Sequence, residues 1–103
     1  MSNTIVNMIT DPPTATLRDV DLVAQRVSDL LSAVPDSASG WAIDSLAVVN
    51  AEIRIARRAA ESALYRQRLG RPALAEGVRA YNALGRARET LMIIEGGVRL
   101  LSQ

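Results

Sequence analysis

Apolar residues recur along this chain at alternating spacings of three and four, the period of a helix face turned toward a neighbouring helix. Leu17, Val20, Ala24, Val27, Leu31 and Val34 form the first such row, and it predicts a helix from about Thr16 to about Val34. The Thr16 hydroxyl is expected to cap its first turn, with Asp19 and Asp21 near the positive end of the helix dipole. Pro35, Asp36 and the stretch 37–40 then end it. A second row, Ala42, Leu46, Val49, Ile53, Ala56, Ala60 and Ala63, predicts a helix from about Trp41 to Leu69, closed by Gly70 as a left-handed terminator. Trp41, Val48, Ile55 and Ala59 flank this row and widen its apolar face. The third row is Gly77, Ala80, Leu84, Ala87, Leu91, Ile94, Val98 and Leu101, in a helix expected to start at Pro72, whose missing N–H costs nothing in a first turn. Gly96 and Gly97 interrupt it and predict a kink or a thinned contact.

These elements define an all-α fold: a short N-terminal arm over residues 1–13, then one helical domain over 14–103 made of a shorter helix and a long antiparallel hairpin. The arm carries Ile5, Val6, Met8 and Ile9 ahead of a double proline that a helix interior would reject. At about 1.5 Å per residue the hairpin helices reach about 45 Å and the first helix only about 28 Å. A three-helix bundle of unequal helices leaves part of the hairpin seam uncovered. The run Leu91, Met92, Ile93, Ile94 is also apolar around most of the helix. A second copy, or a helical partner protein, is the expected cover, with Leu46, Val49, Ile53, Leu84, Leu91, Ile94 and Val98 as the interface.

Composition narrows the chemistry. The 103 residues contain no Cys and no His, which removes thiol nucleophiles, disulfides, soft-ligand zinc sites and the usual general base near neutral pH. No catalytic residue, cofactor or metal is expected. No long uncharged apolar stretch and no signal-peptide pattern is present, so a cytoplasmic protein, or a component of a larger particle, is expected. With no Phe and three aromatic residues, the core must be assembled from Ala, Val, Leu and Ile, which favours close helix contact.

The net charge of +1 hides an asymmetry: residues 1–45 hold two Arg against six Asp, and residues 46–103 hold ten Arg against five Glu. All twelve basic residues are Arg, a pattern that GC-rich coding and selection for guanidinium chemistry both produce. The carboxylates of the second and third helices stand three or four residues from arginines, as in Arg57 with Glu61, Arg58 with Glu61, Glu76 with Arg79, Arg86 with Glu89 and Glu95 with Arg99, which predicts ion pairs within each helix. Arg54, Arg57, Arg58, Tyr65 and Arg68 form the one polar group suited to an anion, whether phosphate, nucleic acid or the aspartates of the first helix.

Ile43-Asp44, an Arg-rich second helix and Gly70-Arg71-Pro72 resemble the all-helical chorismate mutases over one helix and a turn, and the resemblance implies a cofactor-free mutase in a helical bundle. The chain departs from that pattern in having no Lys and no Arg in the turn before Ile43, so Arg66 would have to replace the lysine and no site residue is carried over. A helix-turn-helix around Ala73, Gly77 and Val78 fails at Arg86, where that motif wants an apolar side chain. The residues thus point to a non-enzymatic helical structural or adaptor protein, comparable by layout alone with phage-particle and secretion-apparatus subunits. An arginine-rich nucleic-acid or phosphate binder is the alternative.

Overall fold

The computed structural model describes residues 12–101, and every regular element among them is helical: α1 (Pro12–Ala33), a short 3-10 turn (Asp36–Ala38), α2 (Ser39–Arg68) and α3 (Leu74–Leu101). The arm residues Ile5, Val6, Met8 and Ile9 lie outside the described residues. α1 starts four residues earlier than expected, because Pro12 and Pro13 occupy its first turn, where backbone N–H groups have no intrahelical partner. Thr16 therefore does not cap the helix. Its hydroxyl donates back to the Pro12 carbonyl at 2.9 Å.

α2 ends in a Schellman turn: the Arg71 N–H donates to the Arg66 carbonyl at 2.8 Å and the Gly70 N–H to the Gln67 carbonyl at 3.0 Å. Gly70 takes the left-handed conformation this requires, φ 69°. Pro72 lies in the connection, and α3 begins two residues later at Leu74. α3 runs through Gly96 and Gly97 without a break in the helix.

α2 and α3 form the antiparallel hairpin and α1 lies across both. All seven residues of the α2 row are buried, and Ala59 joins them. On α3 the row holds from Ala80 to Val98, with Ala83 added, whereas Gly77 is half-buried and Leu101 exposed. On α1 the buried residues are Pro13, Val20, Val23 and Val27, with Leu17, Ala24 and Leu30, and Val34 just past its end, packed at the edge of the core, and Leu31 turned outward. Toward the Gly70 end the contact between helices passes to alanines, with Ala59, Ala60 and Ala80 forming a small second cluster under Leu17.

The ion pairs follow the helix interfaces rather than the helix surfaces. Arg26 of α1 makes a two-pronged contact with Glu95 of α3, and Asp19 pairs with Arg88 at 3.3 Å. Asp21 of α1 accepts from Arg57 of α2 at 2.8 Å. Between α2 and α3, Glu52 pairs with Arg86 at 3.1 Å and Arg66 with Glu76 at 3.8 Å. None of the expected pairs within one helix is formed among the described residues. The acidic α1 has instead settled against arginines of the other two helices, where one carboxylate satisfies packing and charge at once.

Candidate functional site

The seven side chains expected at an interface, Leu46, Val49, Ile53, Leu84, Leu91, Ile94 and Val98, are between 0% and 6% exposed. All belong to the core of the single chain, together with Val20, Val23 and Val27 of α1. Counting helix lengths missed this because α1 gains a turn at Pro12 and crosses the hairpin over the stretch where the seam holds its largest side chains. None of the seven offers surface to a second protein. The run 91–94 divides accordingly: Leu91 and Ile94 point inward, while Met92 and Ile93 are 60% and 74% exposed.

Leu22 and Leu31 of α1 and Leu69 and Leu74 near the turn are exposed, and a further group of exposed apolar side chains lies on the other side of the hairpin. Trp41, Val48 and Ile55 follow one another at intervals of seven along α2, and each is about half exposed. Trp41 reaches across to α3, where its Cη2 stands 2.7 Å from the position a Cβ on Gly97 would take. Glu52 crosses to Arg86 further along. Val48 on α2 and Ile93 on α3 lie between these two crossings, so they share one surface. Ile43, Ala47 and half-buried Ala51 extend it over the outer side of α2, and Met92, Leu100 and Leu101 are exposed on the same half of α3. These side chains form an apolar patch exposed to water on an otherwise well-packed chain.

Glu52 is drawn into the hairpin: its Oε2 is buried without a hydrogen bond, and the Arg86 guanidinium offsets its charge. That pair divides the hairpin surface in two. Toward the α1–α2 connection it is mainly apolar; toward Gly70 it carries arginines, with Ile55 at the boundary.

The basic half contains the expected anion-binding residues. Arg54, Arg58 and Tyr65 fall on one exposed stripe of α2, with Glu61 between them and Arg68 beside it. Arg57 does not belong to this group, since it turns toward α1 and is held by Asp21. Arg79 of α3, which the sequence placed in a pair with Glu76 rather than among the anion-binding residues, lines a shallow groove with Ile55, Arg58, Ala59, Ser62 and Glu76. Arg54, Arg58, Arg68 and Arg79 make no ion pair among the described residues. The two segments that resemble chorismate mutases, Ile43-Asp44 and Gly70-Arg71-Pro72, sit at opposite ends of α2, about 40 Å apart at 1.5 Å per residue.

Among the described residues no group of three His, Cys, Asp or Glu side chains could hold a metal ion, and no helix is long and apolar enough to cross a membrane. No family model, curated protein or solved structure matches the chain.

Proposed function

We propose that this protein is a non-enzymatic helical interaction module, a three-helix bundle that self-associates or docks a helical partner through the surface built by Trp41, Val48, Ile55 and Ile93. The observation that carries the reading is the contiguity of these side chains across α2 and α3, all exposed while the core beneath is closed. Covering them removes apolar area from water at about 25 cal/mol per Å², and no rearrangement of the core is needed. Size-exclusion chromatography with light scattering is the test. Val48→Asp and Ile93→Asp should keep the helical circular dichroism and abolish association of the chain, or its capture by a partner. Unchanged association in both variants would refute this surface.

A second reading is favoured by one observation, the set of arginines with no carboxylate partner beside Tyr65: the basic half of the hairpin contacts phosphate groups of a nucleic acid. Replacing Arg54, Arg58 and Arg68 together by Ala should then flatten the salt dependence of binding to a DNA or RNA duplex by about three units of slope. Absence of salt-dependent binding by the unaltered protein would eliminate it.

A further inference from the structure

The docking surface of α2 has an internal order that identifies its occupant. Beside the buried row, α2 carries a second row at heptad spacing: Asp44, Val48, Ala51, Ile55 and Arg58, separated by four, three, four and three. All five face away from the core: Asp44 and Arg58 are exposed, Val48 and Ile55 about half exposed, and Ala51 half-buried. The row is arranged about its centre. Asp44 lies seven residues before Ala51 and Arg58 seven after it, and Val48 and Ile55 stand three before and four after. Neither Asp44 nor Arg58 has an ion-pair partner among the described residues.

We infer that a second copy of this chain occupies the surface, with the two α2 helices antiparallel and related by a two-fold axis near Ala51. Resting on the interaction-module reading above, this assignment follows from charge. Antiparallel pairing brings Asp44 of each copy against Arg58 of the other and sets Val48 opposite Ile55, with the small Ala51 side chains allowing close approach at the axis. Parallel pairing would stack Asp44 on Asp44 and Arg58 on Arg58, which is repulsive at both ends. A two-fold interface must be complementary to itself, and this row is. The exposed parts of Trp41, Ile43, Ala47, Val48, Ile55 and Ile93 supply roughly 600 Å² of apolar surface per copy, so a pair buries on the order of 1,200 Å², the lower edge of the range for specific complexes.

The test is sedimentation equilibrium from roughly 1 μM to roughly 1 mM on the full chain, on Asp44→Arg, on Arg58→Asp and on the double variant. Both positions are exposed, and circular dichroism checks that each variant is folded. The expected result is a dimer for the unaltered chain, a dimerisation constant weakened at least about tenfold in each single variant, and recovery to near the original value in the double variant. A monomer throughout for the unaltered chain overturns the assignment. So does failure of the double variant to recover. If both single variants dimerise normally while Val48→Asp abolishes association, the antiparallel register is wrong and the docking surface stands; if Val48→Asp and Ile93→Asp are also silent, both fall.

Discussion

Gly96 and Gly97 are adjacent in α3 and differ in one respect, the indole ring of Trp41. A Cβ at position 96 meets nothing within 4 Å, whereas one at position 97 would stand 2.7 Å from Cη2, 3.4 Å from Cζ2 and 3.5 Å from Cζ3 of Trp41. Replacing a glycine by alanine inside a helix gains about 0.8–1 kcal/mol from backbone entropy. Gly96→Ala should therefore stabilise the protein by about 0.5–1 kcal/mol, allowing for its position near the described end of the helix. At 97 the same gain is opposed. Carbon atoms in contact prefer about 3.5–4.0 Å, so the ring must retreat by about 1 Å. Trp41 is 44% exposed, and the buried remainder, on the order of 130 Å², contributes about 3 kcal/mol. Losing a third to a half of that contact costs about 1–1.5 kcal/mol, leaving Gly97→Ala between neutral and mildly destabilising. The two variants should differ by about 1–2 kcal/mol, which is several degrees in Tm for a chain of this size. Thermal and urea unfolding followed by circular dichroism read the difference, and the fluorescence of the single Trp, red-shifted in Gly97→Ala alone, reports its cause. In a Trp41→Ala background the two alanines should become equivalent. Equal stabilisation in the unaltered background would show that Trp41 does not pack on Gly97.

Three further expectations follow from burial and geometry. Leu91→Ala should lower stability by about 2–5 kcal/mol, and Leu91→Asp or Ile94→Asp should abolish cooperative unfolding, since both residues sit in the core; a folded, merely dissociated Leu91→Asp protein in circular dichroism would contradict the packing. Arg86→Ala strands the Glu52 carboxylate in the hairpin and should cost about 1–3 kcal/mol, against at most about 1 kcal/mol for Arg57→Ala, whose partner Asp21 is open to water. Urea midpoints compare them, and equal losses would mean that Glu52 is solvated. Gly70→Ala places a side chain at φ 69° and should cost about 1–2 kcal/mol, measured the same way; no loss would mean that the turn closes without the left-handed conformation.

The fold was legible where the side chains themselves carry the period. On α2 every residue of the apolar row is buried, because Leu46, Val49 and Ile53 with the small alanines beyond them form its most continuous apolar face. α1 was harder. Val23 and Leu30 stand beside Ala24 and Leu31 in sequence, both choices preserve helical spacing, and only the crossing of α1 over both hairpin helices selects Val23. The double proline misled for a related reason: a helix interior forbids proline, but a first turn does not, and periodicity cannot say where a first turn falls. The charge pattern failed most instructively. Glu76 and Glu95 each had an arginine one turn away on their own helix, and the structure pairs them instead with Arg66 and Arg26 on other helices, since residues at the flank of a buried row point toward the neighbouring helix; Glu61 and Glu89 form no ion pair among the described residues.

The candidate interface moved for the same physical reason. A heptad row announces that a helix face is covered without saying by what. Leu46, Val49, Ile53, Leu84, Leu91, Ile94 and Val98 could equally have met another chain, and whether they do depends on how much of the hairpin α1 reaches. Once α1 covers them, self-association needs a different face, and α2 carries one, rotated away from the first and bounded by charges of opposite sign. The two rows differ in the one property that separates a core from a reversible contact. The buried row has no charged residue from Ala42 to Ala63, so nothing in it discriminates between orientations of a partner. The outer row ends in Asp44 and Arg58, which in the proposed dimer would add little to affinity and decide orientation. On this argument the charges of the outer row specify how the partner sits, and removing either of them should weaken association less than reversing it.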